Sequence, residues 1–446
     1  SYHGGILNTQ PPSTDVTFDR AVSHVNVPVV GHEIGQYQIY PDYGEIEKYT
    51  GVLRAHNLEV FRDRLNKAGM GDQDSIFQKA SGAWSALCYK AEMEAALRTK
   101  GFAGFQLLDL QDFPGQGTAL VGILNAFMEP KNVVTRQEWL HSCNDVVLLL
   151  EFTKYCRTTD EPFNAKLVVA NYSNRSFTND ISWIIKDESD HVLAEGILNE
   201  KTIENGGLTT VGRIHFDPGS IKRAEKLTVS VSLEGTPYAN SYPVWVYPSE
   251  STVPEATGIL ITQKLDDNAF DKLNRGGSVL LFPKAGDVRG KSVGGLFPPD
   301  FWNYGMFKSI SEGAGKSVSP GTLGLLMDPN HPLFNDFPTD FHTNWQWFSI
   351  IKASNPFILD ETPVPYRPIV QVIDNLERNH KLGLIFEFRV GKGKLLVCMS
   401  QLPGIVDKPE ARQLFRSMVE YMKTAEFTPK FEISPANLKL FFRKGM

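Results

Sequence analysis

The feature that most constrains this chain is a double change of hydrophobic period along its length. As far as Trp139, short apolar runs alternate with longer stretches whose apolar residues recur at helical spacing. Between Val146 and Leu233 the runs become short and alternating, and from Gly258 the first pattern returns. Apolar residues three or four positions apart line one side of a helix, whereas strict alternation lines one face of a strand, so a change of period marks a change of architecture. A length of 446 residues also exceeds what a single core commonly organises. The pattern therefore predicts a multidomain protein: a β/α repeat, an all-β antiparallel sandwich, then a doubly wound α/β domain.

In the first segment, residues 27–31 (Val-Pro-Val-Val-Gly) read as a parallel strand buried on both faces. Residues 45–49, 53–68 with Leu58, Phe61 and Leu65, and 76–98 with Ala80, Trp84, Leu87 and Ala91 read as helices. A second strand-like run, 101–110, ends in the turn-rich stretch 111–117. The sandwich strands are expected at 146–152, 165–170, 181–186, 208–214 and 227–233, closing near Pro248. In the tail, strands are expected at 259–261, 276–282, 369–373, 382–388 and 394–399, with helices at 266–273 and 410–423. Gly391-Lys-Gly-Lys394 joins two of those strands as a hairpin turn rather than a phosphate loop.

Composition removes several classes of function. Lys plus Arg total 45 against 51 Asp plus Glu, a net charge of −6 with no basic block, so no nucleic-acid partner is expected. No run approaches the roughly eighteen apolar residues that span a bilayer, so no membrane partner is expected either. Cys88, Cys143, Cys156 and Cys398 lack C-x-x-C spacing and read as buried thiols, with no metal site and no disulfide framework. Cys398 lies in the apolar run Leu396-Val-Cys-Met399, which does not suit an exposed nucleophile. The opening Ser1-Tyr-His-Gly-Gly5 has no leader character, so any export signal is expected to be absent or already removed.

In β/α architectures the groups that do chemistry gather where strands end in loops. One strand end presents His32, Glu33, Gln36 and Tyr37; the other presents Asp109, Gln111 and Asp112. A glutamate directly after a Val-rich run has its backbone fixed in the sheet while its carboxylate stands at the rim, which suits a nucleophile. A simple ion pair at the rim is the alternative for Glu33. Likewise His32 is either a pocket residue or a packing histidine, and Asp109 either binds a ligand or caps its own turn. The aromatic stretch 330–347, with Trp345 and Trp347, either stacks on a sugar or packs between domains.

These stretches resemble glycoside hydrolase family 2. Val27-Pro-Val-Val-Gly-His-Glu33-Ile-Gly35 is similar to the family's barrel strand 7, and residues 101–114, with Leu-Leu-Asp-Leu-Gln-Asp112, to its strand 8. Phe337-Pro-Thr-Asp-Phe-His-Thr-Asn-Trp-Gln-Trp347 resembles the amidotransferase-like tail of large members of the Bacteroidetes type. The resemblance implies residues 1–142 as the C-terminal part of a (β/α)8 barrel, 143–250 as an immunoglobulin-like β-sandwich, and 251–446 as an amidotransferase-like α/β domain. Tyr2 and His3 would then end strand 6. It implies Glu33 as the nucleophile of a retaining glycosidase, with His32, Gln36, Tyr37, Asp109 and Gln111 binding substrate.

Such a reaction needs a second carboxyl group about 5–5.5 Å away as acid/base. In the family that residue follows Asn on strand 4, so it is expected on an N-terminal segment of the same enzyme. No metal or organic cofactor is implied, the substrate is an oligosaccharide or glycoside, and a periplasmic or secreted location is expected. Leu107 and Leu108 stand where the family commonly places a Trp, which points away from the usual β-galactosides and β-mannosides. The alternative is a non-catalytic carbohydrate-binding or scaffold protein, for which a homo-oligomer is one form.

Overall fold

The computed structural model describes residues 5–442, so the strand end expected at Tyr2 and His3 lies outside the described residues. The chain divides into two compact units that interleave along the sequence. Ser1–Tyr37, Ser85–Asp112 and Val121–Glu250 form the first; Gln38–Trp84, Phe113–Leu120 and Ser251–Met446 form the second. The compact units thus do not follow the expected bounds 1–142, 143–250 and 251–446. Residues 38–84 and 113–120 leave the expected barrel segment because their apolar faces bury elsewhere. Tyr40, Tyr43, Leu58, Phe61, Leu65, Phe77 and Leu120 share a core cluster with Leu323, Ile373 and Leu376. Helical spacing shows that a face must be covered, but not by what.

In the first unit, β1 (Val29–Gly35) and β2 (Phe102–Leu108) form a two-stranded parallel sheet. The expectation that residues 27–31 are buried on both faces is not met: Val27 is 67% and Val30 59% exposed. Among the described residues β2 is its only strand partner, so β1 lacks the further strands that flank a buried parallel strand. Eight strands follow: β3 (Val146–Glu151), β4 (Cys156–Thr158), β5 (Phe163–Asn171), β6 (Phe177–Lys186), β7 (Val192–Ile203), β8 (Gly207–Phe216), β9 (Glu225–Leu233) and β10 (Ala239–Tyr247). They make a three-stranded sheet β3-β5-β8 and a five-stranded sheet β4-β10-β9-β6-β7.

Side chains on β10 reach β3 in the other sheet: Asn240 Nδ2 donates to Leu148 O at 2.7 Å, and Leu150 N donates to the Tyr242 hydroxyl at 3.3 Å. The continuous apolar run of β3 is explained by its two covered faces, since Val147 and Leu149 cluster with Leu97, Val168 and Ala170, with Phe105 packed against them. β4, β7 and β10 escape the sequence pattern. β4 has only three residues, β7 is an edge strand carrying Glu195, Glu200 and Lys201, and β10 contains Pro243. β4 joins β10 only from Trp245 onward, so at Pro243 the ladder has one neighbour, β9.

The second unit is built on β11 (Ile259–Thr262), β12 (Ser278–Leu281), β13 (Thr322–Met327), β14 (Phe357–Ile358), β15 (Val370–Asp374), β16 (Leu382–Val390) and β17 (Gly393–Cys398). They form one seven-stranded sheet in the order β11-β12-β17-β16-β15-β13, with β14 added beside β16. The expected doubly wound arrangement holds only for β11, β12 and β17, which pair in parallel; every other pairing is antiparallel. The reason lies partly in the turn at Gly391, whose φ of +57° suits a tight hairpin that sends β17 back along β16. Cys398 is fully buried on β17, and burial pushes its thiol up to about 12, against the Ser400 carbonyl that it approaches. Cys88 is buried too, but Cys143 and Cys156 are only half-buried, so the uniform burial expected of the thiols does not hold.

The aromatic stretch 330–347 packs inside this unit. Phe337 meets Trp347 edge-on at 5.4 Å, and Trp347 Nε1 donates to Thr339 Oγ1 at 3.0 Å. Trp84, at the end of this unit's share of the helix Asp74–Arg98, donates from Nε1 to Phe297 O at 3.1 Å. Its ring lies edge-on to Phe297 at 4.9 Å and to Trp345 at 5.0 Å. Trp84→Ala is expected to destabilise this unit by about 3–5 kcal/mol, because a cavity and an unpaired carbonyl replace a filled site. A lowered urea midpoint with an unchanged slope is the measurement; a change below about 1 kcal/mol contradicts that packing.

Among the described residues no helix is long and apolar enough to cross a membrane.

Candidate functional site

The strand ends singled out in the sequence lie side by side in the first unit. β1 and β2 pair in parallel with Ile34 opposite Leu107 and Gly35 opposite Leu108, and Gln36 N donates to Leu108 O at 2.9 Å. The register is broken between Gly31 and Ile34, so His32 and Glu33 form an irregularity in the ladder. Glu33 has φ +53°, Gly35 +95° and Gln36 +68°. A bulge of this kind re-aims a side chain out of the sheet, and a left-handed non-glycine residue is held there only by its surroundings.

Those surroundings come from the helix Asp74–Arg98, through the part that belongs to this unit. Glu92 Oε2 accepts from Gly35 N at 2.8 Å and from the Tyr37 hydroxyl at 3.0 Å. Three residues earlier on the same helix face, the Tyr89 hydroxyl donates to Leu108 O at 2.9 Å and Val121 O at 3.0 Å. The Tyr37 and Tyr89 rings meet edge-on at 5.4 Å. One helix face thus fastens the ends of both strands. Burial pushes the Glu92 carboxyl above the ordinary carboxylate range, against the lowering effect of its two donors.

Glu33 projects to solvent, its side chain 47% exposed, with His32 Nε2 3.4 Å from Oε1. The His32 ring, 72% exposed, is held at Nδ1 by Gln106 Oε1 at 2.9 Å. Gln36 turns its amide back onto the Glu33 carbonyl at 3.0 Å.

Other residues named from the sequence make contacts within the unit. The Tyr37 hydroxyl serves Glu92, Asp109 Oδ1 accepts from the next residue's Leu110 N at 2.8 Å, and the Gln111 backbone, not its side chain, bridges to Leu124. Asp112 is buried, taking Lys131 Nζ at 2.7 Å and Gly122 N at 3.0 Å, which makes it part of the framework. Glu33 and His32 are therefore brought together, with Gln36 beside them, while Tyr37, Asp109 and Gln111 hold the two strand ends in shape. Sequence reasoning missed Glu92, Tyr89 and Lys131. The only signal for the first two is their i, i+3 spacing on a long helix, which many solvated pairs share.

Comparison with known proteins adds partial likenesses. Residues 161–248 match the family described as Domain of unknown function (DUF8488), and residues 260–443 match Domain of unknown function (DUF8487). No curated protein matches the chain. Structures similar to part of the chain include glycoside hydrolases. A β-D-mannosidase from Dictyoglomus thermophilum is 12% identical over 55% of this chain and 30% of its own, with a TM-score of 0.30. An exo-chitosanase of Amycolatopsis orientalis is 9% identical over 39% and 20%, with a TM-score of 0.25. A DNA glycosylase of Pseudomonas fluorescens, bound to DNA with an abasic-site analogue, is 13% identical over 25% and 33%, with a TM-score of 0.20. This chain spans a third or less of each of these proteins, and likenesses of this size do not indicate which side chains do chemistry.

Proposed function

We propose that this chain is the C-terminal portion of a retaining, exo-acting glycoside hydrolase whose nucleophile is Glu33. The observation that carries the reading is the strained bulge at the end of β1: a left-handed glutamate, held from behind by Glu92 and Tyr89, projecting its carboxylate outward beside the end of a parallel neighbour. In this mechanism Glu33 attacks the anomeric carbon while a second carboxylic acid protonates the leaving oxygen. Water then cleaves the glycosyl ester with the second group acting as base. His32, with Nε2 3.4 Å from Glu33 Oε1, would flank the nucleophile. Gln36, Tyr37, Asp109 and Gln111 would shape the substrate's surroundings, chiefly by setting the backbone of the two strand ends.

The second carboxyl group is proposed to reside on an N-terminal segment of the same enzyme that completes the barrel. The exposed Val27 and Val30 support this, because parallel strands are ordinarily covered on both faces. The immunoglobulin-like character of the eight-stranded region, the amidotransferase-like character of the second unit and an exported location belong to the same proposal. Glu33→Gln, introduced into the chain joined to its N-terminal segment, is expected to lower turnover of aryl glycosides by at least about 10³-fold. A slow fluorinated glycoside should label Glu33. Retained turnover, or label on another carboxylate, defeats the assignment. Sugar binding without any turnover by the assembled protein supports the non-catalytic carbohydrate-binding reading instead.

A further inference from the structure

The second unit contains two adjoining depressions at the C-terminal ends of its parallel strands. β11, β12 and β17 lie in that order. In sheets of this kind the crevice beyond the strand ends is left open where connections depart in different directions. A cavity of about 350 Å³ opens between Gln263 and Lys264, just past β11, and Asp287, past β12, with Lys439 and Phe442 completing its wall. A second, of about 430 Å³, shares Gln263 and Lys264 and runs on to Pro403, past β17.

The chemistry of the lining narrows the occupant. In the first cavity the ammonium groups of Lys264 and Lys439 are matched by the carboxylates of Asp267 and Asp287, so neither an anion nor a cation is favoured by charge. Lysines donate, aspartates accept and the Gln263 amide does both, while Phe270 and Phe442 supply apolar surface. Lys439 Nζ stands over the Phe270 ring at 4.6 Å from its centroid, so the ammonium covers that face and Phe442 is the aromatic side chain left to meet a ligand. A neutral polyhydroxylated ring, with hydroxyls that donate and accept and a C–H face that packs on an aromatic side chain, satisfies every part of this lining.

We propose that this crevice is a glycan-binding subsite for one or two neutral sugar rings. The inference deepens the glycosidase reading and rests on it for the sugar class. Calorimetric titration of the 446-residue chain with cellobiose, mannobiose and chitobiose is the test. Saturable binding of at least one disaccharide is expected, weakened about tenfold or more by Phe442→Ala and by the paired change Asp287→Asn with Lys439→Ala. Glu33→Gln should leave that binding unchanged. The Phe442 ring also packs on Phe357 at 4.9 Å, so the paired change at the cavity wall decides the matter if Phe442→Ala impairs folding.

Absence of saturable binding by all three sugars, binding that the cavity variants leave intact, or binding of inorganic phosphate in their place overturns the proposal. Aryl-glycoside turnover by the assembled enzyme is read separately. Its loss in Glu33→Gln and the titration of the crevice can therefore fail independently.

Discussion

Glu94→Ala is expected to destabilise the first unit by about 3–5 kcal/mol, because it strips the partner from two buried cations at once. The Glu94 side chain is 2% exposed and accepts from Lys90 Nζ at 2.5 Å, Arg98 Nη2 at 2.8 Å, Ser142 Oγ at 3.1 Å, Asn240 Nδ2 at 2.9 Å and the Tyr242 hydroxyl at 3.0 Å. The carboxylate therefore ties the helix that carries Tyr89 and Glu92 to strand β10 of the five-stranded sheet. Alanine would leave the Arg98 guanidinium, 3% exposed, and the Lys90 ammonium without a counter-charge. Breaking a buried pair from one side costs far more than the intact pair contributes.

The same residue gives a dependence on pH. Burial alone would raise the Glu94 pKa, but the charges of Lys90 and Arg98 and the hydrogen bonds to Lys90 and Asn240 outweigh it and hold the carboxyl below its ordinary range. A folded-state pKa below the unfolded one means that the unfolded chain binds more protons between the two values, so stability rises with pH there. The contribution is complete above the unfolded carboxylate value of about 4.3 and is lost as pH falls through the folded value. Urea unfolding at neutral pH and at a series of acid pH values measures both effects. Glu94→Ala should be weakened most at neutral pH and should show a shallower loss on acidification. A neutral-pH change below about 1 kcal/mol, or an unaltered acid slope, contradicts the account.

Gly35→Ala is expected to cost about 2–4 kcal/mol, the sum of a left-handed backbone and a steric overlap. Gly35 has φ +95°, and a Cβ there would run into the Tyr89 ring, with Cζ only 2.7 Å away. That ring cannot easily give way, since its hydroxyl is shared between Leu108 O and Val121 O. Relief should come from shortening the neighbour: in a Tyr89→Ala background the added methyl should cost clearly less than in the wild type, a coupling that a double-mutant cycle measures. Amide exchange at Gln36, whose N–H bonds Leu108 O, should rise in Gly35→Ala. Strictly additive effects, or unchanged exchange at Gln36, would show that Tyr89 does not fix this turn.

Much of the local structure was legible beforehand. The helix Asp74–Arg98 and the strands at Val146–Glu151, Glu225–Leu233 and Leu382–Val390 lie close to where apolar spacing puts them, because each buries a regular face. β13 was not legible, since Thr322–Met327 reads as a short mixed run whose partner, β15, lies far along the chain. Nor was Glu92, whose role depends on a glycine amide and a tyrosine hydroxyl that spacing on a helix cannot reveal.

The chain's own pattern of apolar periods determined many of the segments that become strands and helices, because those outcomes depend on neighbours a few residues away. Tertiary structure alone decided that residues 38–84 join the core of the second unit, that Val27 and Val30 stay exposed, and that Tyr37 and Asp112 have internal partners. The physical reason is range. Periodicity is a short-range property of the backbone, whereas covering an apolar face or satisfying a buried polar group is settled by whichever distant residue comes to lie against it.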